Sequence, residues 1–255
     1  MWRPASASIA ILAFATATSA SAADLPAPLP ERTRVYIPSY VWTGFYLGGH
    51  VGGAWGDQTV TTVLDNPLLP AGAQWKSNAH GVLAGGQVGV NYQAGAWVVG
   101  VEGDLSWADA DSSATIPTLV PGTSLNTSIN TNFLATLAGR LGYAWNAVLL
   151  YGKGGIAWTN ASYTAQILTA GAATAASTIT SDDRRGWTAG GGVEFAFAGD
   201  WSGKVEYDYY DFGTKQFFFN LPGNLTNVGI RSRFHTVKGG LNYHFNWGGP
   251  VSVRY

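Results

Sequence analysis

Nine ionisable residues stand out in this 255-residue chain: the acids Glu102, Asp104, Glu194, Glu206 and Asp208, and the bases Arg140, Lys153, Lys204 and Lys238. Several recur at intervals of two, as in Glu102/Asp104 and Lys204/Glu206/Asp208. That spacing puts them on one face of an extended strand. Five acids and four bases nearly balance in sign, so two tasks suit them. They can satisfy one another as a network of salt bridges, or they can line a path for ions.

Other chemistries find less support. Gly152-Lys-Gly-Gly-Ile-Ala157 has the spacing of a dinucleotide fingerprint, but that motif must open a helix, and here Trp158 completes a strand-like run. The four histidines, His50, His80, His235 and His244, form no metal-binding spacing. There is no Gly-x-Ser-x-Gly elbow, and no spacing nominates a Ser/His pair for a membrane-embedded lipase or acyltransferase. Cysteine is absent, which removes thiol nucleophiles, disulfides and thiolate metal sites. No catalytic residue, cofactor or metal is expected. A net charge of −1 gives no basic excess for nucleic acid.

The elements that must hold the nine charges are strands. In Trp97–Trp107, one face carries Trp97, Val99, Val101, Gly103, Leu105 and Trp107; the other carries Val98, Gly100, Glu102, Asp104 and Ser106. Ten residues at roughly 3.3 Å, tilted by about 40°, climb about 25 Å. That is the height of the apolar band of an outer-membrane barrel, whose two interfaces attract aromatic rings. The same alternation is read at roughly 44–55, 81–93, 132–145, 148–158, 186–197, 201–212 and 234–245. Every one of the nine charges takes the polar parity. Residues 57–78, 108–131, 159–184 and 213–232 are polar or proline-bearing and are expected to be long loops. They alternate with short turns at 93–96, 146–147 and 199–200. Short periplasmic turns and longer extracellular loops are the habit of outer-membrane barrels. Only a helix or a closed barrel satisfies all backbone polar groups in lipid, and the chain has no run of 18 apolar residues for a helix. The fold expected is all-β: an eight-stranded, antiparallel, up-and-down transmembrane β-barrel over residues 42–255. Eight strands leave an interior just wide enough for side chains to fill.

Composition agrees. Charged residues are only 11% of the chain, against about a quarter in ordinary soluble domains, while Gly (34), Trp (11), Tyr (12) and Phe (11) are abundant. Arg3, the apolar run 9–17 and Ala20-Ser-Ala22 have the form of a secretory signal peptide over 1–22, with cleavage after Ala22 or Ala23. Residues 23–41 hold Pro26, Pro28, Pro30 and Pro38 and are expected to be an extended leader. Lys76, Arg184, Arg185, Lys215, Arg231 and Arg233 fall near the outer ends of strands. They form either an ordinary solvated rim or a collar for lipopolysaccharide phosphates, with Arg185, Arg231 and Arg233 as the contacts.

Trp42-Thr-Gly-Phe-Tyr-Leu-Gly-Gly, Gly81-Val-Leu-Ala-Gly-Gly-Gln-Val-Gly-Val-Asn-Tyr-Gln, Val101-Glu-Gly-Asp-Leu, Gly190-Gly-Gly-Val-Glu and Val205-Glu-Tyr-Asp-Tyr-Tyr-Asp-Phe-Gly resemble the small outer-membrane β-barrels of alpha-proteobacteria. These proteins carry the labels porin-family or outer-membrane immunogenic protein. The resemblance runs from about residue 42 to the end. It implies an OmpA-type barrel, exported by Sec and inserted by the barrel-assembly machinery, with no catalytic residues to transfer. One departure is that ten residues, Asn246–Tyr255, follow Phe245, where such barrels commonly end on a strand-closing aromatic.

The expected role is non-enzymatic: envelope integrity and display of four loops at the cell surface, by a monomer whose partners are outer-membrane lipid and lipopolysaccharide. A narrow porin is the alternative. A soluble lipocalin-like binder would need the opposite parity, and a lipid-modifying enzyme lacks a nominated site.

Overall fold

The computed structural model describes residues 40–63, 71–221 and 224–246. The expected signal peptide, nearly all of the proline-rich leader and the tail after Asn246 lie outside the described residues. Eight strands form one closed antiparallel barrel in sequence order, with β1 completing the ring against β8. They are β1 (Gly44–Thr62), β2 (Gln74–Ala94), β3 (Trp97–Pro117), β4 (Thr123–Trp145), β5 (Val148–Thr169), β6 (Ala172–Ala198), β7 (Trp201–Leu221) and β8 (Asn224–Asn246).

The strands are 19–27 residues long, where about 9–11 residues suffice to cross a bilayer. This corrects the four long loops. Most of 108–131, 159–184 and 213–232 is strand, as are 57–62 and 74–78 of the first expected loop, and the hairpins project well past the outer aromatic belt. The physical reason is local. Thr and other β-branched residues favour the pleat, and sparse apolar residues keep the period of two, as in Ala161, Tyr163 and Ala165, all buried. The β5–β6 turn is short. Ala170 and Gly171 both adopt left-handed backbone (φ 50° and 84°), as a two-residue hairpin turn requires.

The wall changes character at the outer belt. Register shifts occur between Trp107 and Ala110 on β3, Thr131 and Phe133 on β4, Ala161 and Tyr163 on β5, and Asp211 and Thr214 on β7. Bulges of this kind concentrate at barrel rims. Pairing of β2 with β3 runs up only to His80–Asp111, and of β6 with β7 only to Trp187–Asp211. The other seams continue, β4–β5 as far as Thr123–Thr169. Above the rim the barrel therefore parts into two sheets, β3–β6 and β7–β8–β1–β2.

Inside, three apolar layers alternate with polar ones. At the turn end lie Trp42, Val98, Ala144, Leu149, Tyr151 and Ala196. Near the outer rim lie Ala79, Leu134, Ala157, Tyr210, Phe212 and Phe234. Between the two upper sheets lie Val60, Phe217, Val228 and Ile230 from one sheet, and Leu125, Ala161, Tyr163 and Ala165 from the other. The Tyr163 and Phe217 rings meet across that gap at 4.5 Å.

Candidate functional site

The charged layer occupies the lumen between the first two apolar layers. β3 supplies Glu102 and Asp104, β4 Arg140, β5 Lys153, β6 Glu194, β7 Lys204, Glu206 and Asp208, and β8 Lys238. All nine residues are buried, none more than 6% exposed. Their neighbours at odd spacing, such as Val101, Leu141 and Val205, are 49%, 55% and 64% exposed on the outer wall. Strand pleating alone produces that division.

The network is continuous. Lys153 Nζ lies 2.6 Å from Glu206, 3.1 Å from Glu102 and 3.4 Å from Asp208. Lys204 Nζ joins Glu102 at 3.2 Å to Glu206 at 3.4 Å. Lys238 Nζ reaches Asp208 at 2.8 Å, Glu206 at 3.1 Å and Asp104 at 3.2 Å. Arg140 bonds Glu194 at 2.7 Å, lies 3.5 Å from Glu102, and stacks its guanidinium 3.7 Å from the centre of the Tyr151 ring. Every acid of the nine thus meets a cation, and every cation meets an acid.

The charge pattern alone does not reveal the neutral half of the network. Tyr46 Oη donates to Glu102 at 2.7 Å and accepts from Arg140 at 2.8 Å. Tyr151 Oη donates to Glu206 at 2.7 Å. Ser202 and Asn242 donate to Glu194 at 2.6 and 2.7 Å. These residues share the inward parity of the charges, and that was the available signal. Room for the Tyr46 ring comes from Gly89, where an added Cβ would stand 2.4 Å from the Tyr46 Cζ.

Two histidines enter the same layer. His50 contacts Ser106 at 2.9 Å and Asp104 at 3.5 Å, and His244 contacts Ser202 at 2.9 Å and Glu194 at 3.2 Å. These are the residue types of a Ser–His–acid triad, but the connections differ. Each serine hydroxyl donates its hydrogen to the carboxylate, at 3.0 Å for Ser106 to Asp104 and 2.6 Å for Ser202 to Glu194. A nucleophilic serine must give that proton to the imidazole. Both serines are also fully buried, so no acyl group can approach. Among the described residues no group of His, Asp and Glu is arranged to hold a metal ion.

Outside, Arg185, Arg231 and Arg233 stand on the wall just past the outer belt. Asp211 Oδ2 lies 3.1 Å from Arg231 Nη2 and 3.5 Å from Arg233 Nε. Arg184 is not part of this collar, and its place is a correction. It is 3% exposed and points inward, donating to Ser232 Oγ (2.7 Å) and to the carbonyls of Gly213 (2.9 Å) and Ile230 (3.0 Å). It ties β6 to β7 and β8 where their ladder has stopped. Lys215 crosses the same seam to the Asp183 carbonyl at 3.4 Å.

The model of the family described as "Outer membrane protein beta-barrel domain" matches residues 10–245. The chain is 30% identical to the 31 kDa outer-membrane immunogenic protein of Brucella melitensis biotype 1, over 84% of this chain and 88% of the relative. It is 30% identical to the 25 kDa outer-membrane immunogenic protein of Brucella abortus biovar 1, covering 82% and 81%. The 22 kDa outer membrane protein of Rhizobium leguminosarum bv. viciae is also 30% identical, covering 71% and 69%. Among solved structures, the outer membrane protease OmpT of Escherichia coli superposes with a TM-score of 0.50 at 10% identity, covering 79% of this chain and 97% of that one. That likeness is one of fold alone. With a closed barrel, an apolar outer wall and these relatives in hand, the chain belongs to the outer membrane protein β-barrel family, and its place is the bacterial outer membrane.

Proposed function

We propose that the protein is a non-enzymatic, non-conducting barrel that supports envelope integrity and holds four β-hairpin tips at the cell surface. The observation that carries this reading is the filled lumen. Nine interlocked charges lie between an apolar layer at Trp42, Leu149 and Tyr151 and another at Leu134, Tyr210 and Phe234. An ion entering would have to cross both layers and displace paired charges, each costly to leave alone in a low-dielectric interior. The buried serines, bonded to carboxylates, support the non-enzymatic part of the reading.

The test is planar-bilayer conductance with the purified, refolded barrel. The expected result is a silent bilayer at physiological salt. A reproducible open state, abolished by substituting Lys153 or Glu102, would overturn the reading in favour of a narrow porin. A deletion strain should leak periplasmic contents and lose surface adhesion; full retention of both would remove the envelope role.

A further inference from the structure

The outer wall is almost free of charge, and its cations are unevenly placed. Among the described residues four cationic side chains point outward from the wall: Arg185 on β6, Arg231 and Arg233 on β8, and Lys76 on β2. All four lie past the outer aromatic belt, and none lies in the apolar band or at the turn end. They share one arc of the rim. Arg231 pairs across the ladder with Thr59, and Thr59 with Lys76; Arg233 pairs with Asp211 on one side and Asp57 on the other. On the opposite arc, Asn132 is exposed and Asn126, Asn160 and Ser162 are half-buried, and none of them carries a charge.

One rung beneath the arginines the belt is continuous. Trp187 meets Tyr209 at 5.3 Å, Tyr209 meets His235 at 5.1 Å, and His235 stacks on Trp55 at 5.9 Å with the planes 8° apart. Tyr207 Oη fixes His235 by a 2.7 Å hydrogen bond to Nδ1. One rung is two residues, about 6.6 Å of strand. Aromatic belts mark the level where acyl chains give way to headgroups, so the guanidinium groups sit at headgroup height.

Asp211 organises the pair. One carboxylate oxygen holds both Arg231 and Arg233, while the two side chains remain 46% and 43% exposed. The two arginines are thereby set side by side with N–H groups still facing outward. Three acids, Asp57, Asp183 and Asp211, stand against Lys76, Arg185, Arg231, Arg233 and the exposed Lys215 at the β6–β7 seam, which leaves the arc net positive. Planar guanidinium groups suit phosphate oxygens in bidentate geometry.

We propose that this arc of the rim, centred on Arg185, Arg231 and Arg233, is a docking site for the phosphorylated glycolipid of the outer leaflet, lipopolysaccharide. Its phosphates lie against the guanidinium groups, and its acyl chains run down the wall below Trp187, Tyr207 and Trp55. Asp211 is the positioning residue. The site depends only on which end of the barrel faces outward, not on whether the lumen conducts.

Binding of lipopolysaccharide to the detergent-solubilised full chain, followed by native mass spectrometry, tests this. Folding of each variant is checked first by heat-modifiable gel migration. Arg185→Gln, Arg231→Gln and Arg233→Gln together should weaken binding tenfold or more, and Lys76→Gln about twofold. Enzymatically dephosphorylated lipopolysaccharide should lose affinity for the parent barrel to the same degree. Phosphatidylglycerol should bind at least fivefold more weakly, and inorganic phosphate should not compete. A folded triple variant binding lipopolysaccharide within twofold of the parent would overturn the site. So would equal binding of phosphatidylglycerol, or competition by free phosphate. Conductance is read separately, so failure here leaves the closed-lumen reading standing, and the reverse.

Discussion

The same eight strands pass through two environments, and their two halves are built inside out relative to each other. Within the membrane the outer wall is Val, Leu, Trp and Phe, and the interior holds Glu102, Arg140, Lys153 and Lys238. Past the outer belt the interior holds Val60, Tyr163, Phe217 and Ile230, and the wall shows Thr, Ser, Asn and Arg. The pleat is unchanged; what differs is the medium outside. Where lipid is the solvent, the charges must go in, because a Lys or Arg at mid-bilayer costs about 2–4 kcal/mol. Where water is the solvent, ordinary hydrophobic burial returns. The border between the regimes coincides with the bulges near Trp107, Thr131, Ala161 and Asp211.

The sharpest test of the contrast removes one charge from the lumen. Lys153→Met strips Glu102 and Glu206 of a shared cation. Breaking a buried pair in this way should cost about 3–5 kcal/mol, read as a fall in the urea midpoint in detergent micelles. An unchanged midpoint would mean that water, not Lys153, compensates those acids. Phe217→Ala makes the matching change in the upper core and should cost about 3–4 kcal/mol by cavity formation. That loss should appear as faster hydrogen exchange confined to the upper hairpins, with the membrane strands unaffected; loss spread evenly over both halves would deny that they are separable. A third comparison places one residue on the outer wall of each half. Val101→Lys should cost about 2–4 kcal/mol in bilayers, whereas Thr164→Lys should stay within about 0.5 kcal/mol. Equal costs would erase the distinction between the two media.

The membrane half was legible in the sequence, because lipid outside and ions inside give high contrast at a period of two. Trp97–Trp107 shows it unaided, and the turns at Gly95, Asn146 and Gly199, all with left-handed backbone, mark the ends. The upper half reads as loop in the sequence because its contrast is low. Thr, Ser and Asn face water while only an occasional Val, Ile or Tyr faces in, and Pro117 and Pro121 suggested breaks where they end a strand and occupy a tip. Arg184 shows the limit from another side. Counting twos from Thr188 puts it indoors, yet its partners are mainly carbonyls of strands far off in sequence, which no spacing rule reveals. The pairing within the lumen was equally hidden. Parity selects who faces in, but whether Lys153 answers Glu102, Glu206 or Asp208 depends on how the ring closes.

The two places where the ladders β2–β3 and β6–β7 stop short divide labour within the molecule. All the backbone bonding that keeps the tube shut against lipid lies below them. The surface jaws are joined to each other by packing, by Arg184 and by a few side chains. A tip can therefore lengthen, shorten or change its exposed residues without reopening the ring, which leaves the exposed hairpins free to diversify on a fixed foundation.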